Sequence, residues 1–253
     1  MHPKFISTVM LATALAIPAS ASAQDSLREP EAMAALNEMG TSLRALTDVS
    51  VHADMTVEDV LQDGQKLQYS GTIDITAHRP DKFRIDLDIN DSARQLFYDG
   101  KTLTLYAPQL KYYAKTQAPA TIRETLAAAF DKYGLDIPLA DLFTWGDDPE
   151  LVNSVQQAME LGPERIGGHV CHHYAMRQER VDWQVWIRDG EAKLPCKLII
   201  TDRSDPSMPQ VTAVYDWKSF DPTVTDEFTF VAPVGAMPIK IEQMHNATAQ
   251  AGE

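Results

Sequence analysis

The sequence predicts a mainly β protein of the α+β kind: one large curved antiparallel sheet with helices packed on one side. Three observations carry this. Apolar and polar residues alternate over long stretches in both halves of the chain, the period of strands with one dry face. Turn signals such as Asp99-Gly100 and Asp189-Gly190 close those stretches. Helical stretches do not fall regularly between the strands, which argues against a parallel sheet with crossover helices.

The elements follow in order. Residues 1–23 read as an export signal: His2 and Lys4, an apolar run over 5–17, Pro18, then Ala21 and Ala23 at the −3 and −1 positions of a cleavage site. The expectation is cleavage after Ala23 and a soluble protein in the periplasm; the alternative is a retained N-terminal anchor. The two cysteines, Cys171 and Cys196, both lie far beyond that site, so the usual lipid attachment of an exported lipoprotein is not available. No later stretch reaches the roughly 18 apolar residues of a spanning helix. Residues 29–47 carry Met33, Leu36, Met39, Leu43 and Leu46 at helical spacing after Pro30, with Gly40 as a weak point. The period then changes to two. Val49 to Val57, Leu67 to Ala77 and Phe83 to Ile89 read as an antiparallel meander, followed by a hairpin over 95–106 and a strand over 110–114. Thr121 with Glu124 fits a helix start and Gly134 its stop. Short helices are expected over 138–145 and 149–157. Strands are expected over 159–166, 169–178, 182–188, 194–201, 211–220 and 228–231. The whole of 24–242 reads as one domain, with a disordered tail over 243–253.

Charge narrows the partners. Without Lys4 the chain carries 21 basic and 36 acidic residues, a net charge of −15. That argues against nucleic acid and against anionic headgroups, and leaves neutral lipids and apolar ligands open. Simple solubility also accounts for it.

Several stretches resemble a known family. These are Arg79-Pro80-Asp81-Lys82-Phe83-Arg84, Phe97-Tyr98-Asp99-Gly100-Lys101, Cys171-His172-His173, residues 181–187 and residues 194–198. They are similar to the predicted periplasmic family called domain of unknown function 2092, within the superfamily of the lipoprotein carrier LolA and its relatives. The resemblance implies an unclosed barrel with helices in its mouth and an apolar-ligand cavity; the family itself has no assigned activity. As fold-level analogy it does not give a ligand.

Candidate sites are few. There is no G-x-S-x-G, P-loop, G-x-G-x-x-G or H-E-x-x-H, and no catalytic residue stands out. No enzyme activity and no cofactor are expected. His169, Cys171 and His173 alternate along one strand and share a face. They are weak metal candidates, with core packing and surface histidines as the plainer reading. Cys171 and Cys196 are even in number in an exported chain, which favours a disulfide. Against it, their strands are separated by a third, and alternate strands lie roughly 9.5 Å apart. Both readings stand at this point. The cavity candidates are Met33, Leu36, Phe83, Phe97, Phe130, Phe143, Trp145, Trp183 and Trp186. Residue by residue they read equally as core; collectively, a long dry face exceeds what a few short helices can fill.

Three functions follow. The first is a periplasmic binding or carrier protein holding a lipid, a lipoprotein acyl chain or another hydrophobic molecule. The second is an envelope regulatory or scaffold module that binds a membrane-protein segment. The third is an unrecognised metal-dependent enzyme.

Overall fold

In a computed structural model, residues 27–146, 149–219 and 226–243 are described. The expected export signal and the tail beyond residue 243 lie outside them. Helix α1 (Pro30–Ala45) comes first, with proline in its first turn, and buries Ala32, Leu36, Met39, Gly40 and Leu43 at steps of three and four. Twelve strands then form one sheet: β1 (Asp48–Val60), β2 (Lys66–His78), β3 (Lys82–Ile89), β4 (Ser92–Tyr98), β5 (Thr102–Ala107), β6 (Tyr112–Gln117), β7 (Gln157–Ile166), β8 (His169–Arg177), β9 (Val181–Arg188), β10 (Pro195–Asp202), β11 (Gln210–Trp217) and β12 (Met237–Ile239). Between β6 and β7 come α2 (Ile122–Tyr133), a 3-10 turn at Ala140–Phe143 and the short helix α3 (Pro149–Asn153).

The strand order is β12-β6-β5-β4-β3-β2-β1-β11-β10-β9-β8-β7. Two antiparallel meanders, β1–β6 and β7–β11, therefore meet side by side at β1 and β11, where Val51 pairs with Trp217 and Val57 with Val211. The far edge is closed by β12, which runs parallel to β6. The sheet does not close on itself.

Local chemistry sets the registers. Asn90 and Asp91 take positive φ of 52° and 56° between β3 and β4, the two-residue turn that suits the strand twist. At Gly71 a Cβ would meet Asp88 O at 2.4 Å, so only glycine lets β2 lie so close to β3. Helix α2 starts at Thr121, whose hydroxyl oxygen accepts from Glu124 N–H at 3.2 Å, and ends at Gly134 in the left-handed region.

All the helices pack on one face of the sheet. Val49, Val51 and Ala53 of β1, Ile73 and Ile75 of β2, Phe83 and Ile85 of β3, and Trp183, Val185 and Ile187 of β9 point there, against Leu36, Leu43, Leu126 and Phe143 from the helical elements. Phe83 lies 5.4 Å from Tyr98, whose hydroxyl donates to Pro119 O at 2.6 Å.

Two expectations about elements need correction. Residues 228–231 do not form a strand. Asp226–Phe228 is a 3-10 turn, and Phe228 and Phe230 are both buried. The period of two was real, but Phe230 inserts among Phe97, Tyr106 and Tyr113, at 5.1 to 5.3 Å between rings, on the face opposite the helices. The extended segment packs on a sheet face instead of pairing with an edge. The second is the helix over 149–157, which stops at Asn153, because Gln157 already pairs with Arg177 as the first residue of β7.

Candidate functional site

The strongest candidate is the space between β9, β10 and β11 and the segment that crosses them, residues 135–146. Alternation along the strands supplies its floor: Val181, Trp183 and Val185 from β9, Leu198 and Ile200 from β10, Tyr215 from β11. The roof is built locally. Leu139 takes a positive φ of 62°, and bonds from Leu142 N to Leu139 O (3.0 Å) and from Trp145 N to Asp141 O (2.9 Å) wind the 3-10 turn. Trp145 then reaches down to Trp183, with ring centroids 5.3 Å apart and planes tilted by 55°.

Two glycines hold the roof against α1. A Cβ on Gly146, which has φ of +85°, would lie 2.3 Å from Gly40 O, and a Cβ on Gly40 would lie 3.0 Å from the Gly146 backbone. Arg44 donates from Nη1 to Gly146 O across the same contact. Gly40 in mid-helix, a weak point by propensity alone, is there for this close approach.

The helices fill more of the concave face than expected. The void directly beneath the roof, lined by Met39, Leu43, Leu139, Leu142, Trp183 and Tyr215 among others, is about 20 Å³, room for about one water. Open volume lies on its two flanks. On the β9–β10 side a cleft of about 270 Å³ is lined by Asp141, Trp145, Leu151, Gln178, Val181, Trp183, Leu198 and Ile200. On the α2 side a groove of about 400 Å³ is lined by Leu126, Phe130, Leu135, Ile137, Arg123, Asp136 and Asp141 among others. The cleft is just under the range of small-molecule sites. Asp141 borders all three spaces.

Two ionisable groups belong to this site. Asp141 stays open to the grooves, yet the protein around it withholds water, and that desolvation, with a smaller push from the Asp136 charge, raises its carboxyl above the usual range. Burial raises the Tyr215 phenol, with the Asp141 charge adding to it. At neutral pH Tyr215 is therefore a neutral phenol in the lining of the void, with Asp141 as the other polar side chain there.

The sequence candidates divide between the faces. Leu36, Phe83, Phe143 and Trp183 are buried on the helix side, and Met33 and Trp145 are half-buried against the same core. Trp145 and Trp183 line the cleft. Phe130 lies on the outer side of α2, 57% exposed, on the rim of the groove. Phe97 and Trp186 correct the expectation: both point to the opposite face, Phe97 into the Phe230 cluster and Trp186 beside the two cysteines. The reason is parity. Phe97 neighbours the inward Leu96 and Tyr98, and Trp186 is an odd step from Trp183.

Cys171 and Cys196 form a disulfide, with Cα atoms 6.6 Å apart. The objection from strand spacing fails locally. The β9–β10 register shifts between Pro195 and Lys197, a bulge at Cys196, and Cys171 faces Arg188, the last residue of β9. The bridge thus passes over the end of β9 on the outer face and packs on Trp186.

Two of the three metal candidates are engaged elsewhere, and His169 is exposed at the start of β8. Cys171 is in the disulfide, and His173 stacks on Trp186 at 3.9 Å, with Nε2 on Gln184 at 2.9 Å and Nδ1 on Glu164 at 3.2 Å. Among the described residues no group of three or more metal-binding side chains comes together. Sequence reasoning missed Asp141, Tyr215, Leu198 and Ile200. The one visible signal was a lone carboxylate inside the apolar stretch 137–145.

The profile of a family described as predicted periplasmic protein (DUF2092) matches residues 32–242. No curated protein matches the chain. Among solved structures, the chain is similar to LprF from Mycobacterium bovis (15% identity, 83% of this chain and 99% of that one, TM-score 0.47). It is similar to the lipoprotein LppX from Mycobacterium tuberculosis (13% identity, 75% and 96%, TM-score 0.45). It is also similar to a chain of the MucA/MucB complex from Pseudomonas aeruginosa (16% identity, 80% and 62%, TM-score 0.43).

Proposed function

The chain belongs to the predicted periplasmic family DUF2092, and on that premise we propose that it is a soluble binding or carrier protein for a hydrophobic molecule. The ligand lies in the cleft between segment 135–146 and strands β9 and β10. The observation that supports this is the lining: Trp145, Leu151, Val181, Trp183, Leu198 and Ile200 leave a concave apolar wall open at the surface. Ligand sites have this composition, with a small number of polar groups to fix orientation. Among the described residues no helix is long and apolar enough to cross a membrane. Removal of residues 1–23 at the expected cleavage site leaves the chain without its one long apolar N-terminal run.

Native mass spectrometry of protein purified from the periplasm tests the reading. A bound lipid or other apolar molecule is expected, together with uptake of the neutral dye N-phenyl-1-naphthylamine. Leu198→Glu, which places a charge in the cleft wall, is expected to abolish dye uptake while the far-ultraviolet circular dichroism stays unchanged. Ligand-free spectra and no dye uptake by the unaltered protein overturn it. A stoichiometric protein partner in place of lipid also overturns it, in favour of an envelope scaffold.

A further inference from the structure

One group in the cleft is neither apolar nor paired. Asp141 stands in the first turn of the 3-10 segment, at the meeting point of the void, the cleft and the groove. No hydrogen-bond or ion-pair partner holds its carboxyl among the described residues. Two carboxylates elsewhere on the sheet are held by arginine: Asp86 by Arg84 and Asp182 by Arg177, each at 2.7 Å. Arg123 lines the α2 groove but makes no ion pair there, and Asp136 adds a second negative charge to that side. Beside Asp141 the rings of Trp145 and Trp183 form the aromatic part of the cleft wall.

A carboxylate next to aromatic faces attracts a cation. The charge acts directly, and the electron-rich ring faces add to it. An anionic headgroup placed there would meet like charge, and among the described residues no basic side chain lines the cleft. The field of the whole chain, at a net −14, has the same sign.

We propose that the ligand is an amphiphile that carries a positively charged nitrogen. Its apolar part lies along Val181, Leu198 and Ile200, and its nitrogen sits at Asp141 beside Trp145 and Trp183. This rests on the cleft being the ligand site, and the test separates the two ideas.

The full exported protein is loaded with N-phenyl-1-naphthylamine and titrated with dodecyltrimethylammonium or with dodecanoate, both below their micelle-forming concentrations. The ammonium is expected to displace the dye at about tenfold lower concentration than the carboxylate, the effect of a single partly desolvated charge pair. Asp141→Asn is expected to remove most of that difference and still take up the dye. Asp136→Asn is expected to keep it. Equal displacement by both amphiphiles, or tighter dodecanoate, overturns the charge assignment and leaves the apolar cleft standing. Loss of dye uptake in the Asn variant places Asp141 in the packing of the turn and overturns its role. No uptake by the unaltered protein overturns the cleft itself, and this inference with it. Vesicles of phosphatidylethanolamine and of phosphatidylglycerol identify the source of the nitrogen. Transfer of lipid from the first alone assigns it to a lipid headgroup; transfer from neither assigns it to a free amphiphile. Preferential transfer from the second contradicts the proposal.

Discussion

The Cys171–Cys196 bridge ought to be a large single contribution to stability, and the perturbation is simple: replace both residues by alanine. The bond links two positions 25 residues apart. Closing a loop of that length in the unfolded chain removes conformational freedom worth about 3.5 kcal/mol at room temperature. For a chain of this size each kcal/mol moves the melting midpoint by about 2–4 °C, so the double variant is expected to melt roughly 7–14 °C below the oxidised protein. Both side chains are nearly fully buried, but trimming a small sulfur to a methyl leaves little cavity, so the crosslink dominates. The assay is scanning calorimetry of the oxidised protein, the double variant, and unaltered protein unfolded, reduced and refolded with its thiols blocked from reoxidation. The two uncrosslinked samples are expected to agree. A double variant that melts within about 1 °C of the oxidised protein refutes the reasoning. Two free thiols in native protein taken from the periplasm refute it more directly.

Two further outcomes follow from the roof of the cleft. Gly146→Ala brings a Cβ to 2.3 Å from Gly40 O and forces alanine to φ of +85°, so segment 135–146 is expected to lift from α1 at a cost of about 2 kcal/mol; a red-shifted tryptophan emission reports exposure of Trp145 and Trp183, and an unchanged spectrum and melting midpoint count against the contact. Asp141 has a raised carboxyl in the folded protein, so the fold binds that proton more tightly than the unfolded chain does: its stabilising effect is complete below the ordinary aspartate range and is lost as pH rises through the folded value. Asp141→Asn is accordingly expected to raise the midpoint of ligand-free protein at neutral pH and to change it little in strong acid; a variant that is less stable at neutral pH contradicts this.

Much of the sheet was legible because its strands are amphipathic. Val49 to Met55 and Phe83 to Ile89 write their buried face into the sequence at every second position, and the turns between them need the residues they have. The cap of α2 was legible for the same local reason, since Thr121 and Gly134 act on their own helix. What the sequence hid is non-local. β12 pairs with β6 over only three residues, and nothing in Met237–Ile239 points to a partner so far upstream. The bridge depended on a bulge, a shift of one residue that no spacing rule anticipates. Parity was available for Trp186 and Phe97, and aromatic character alone was the wrong guide to their face. The volume of the cleft was out of reach, because it depends on how closely segment 135–146 docks, and that is set by two glycines 106 positions apart.

The meeting of the two meanders has a consequence for how the chain reaches this structure. Within each meander every strand pairs with its immediate neighbour in sequence, so each half closes only short loops as it forms. The β1–β11 pairing joins residues on either side of more than half the chain, and β12 reaches back across about half of it to β6. Contacts of such range are slow to form and leave two unpaired strand edges waiting meanwhile. Folding in two halves, with the seam closed last and the C-terminal strand laid on afterwards, is the order this connectivity favours, and during that wait the apolar faces of β1 and β11 are the surfaces most in need of protection.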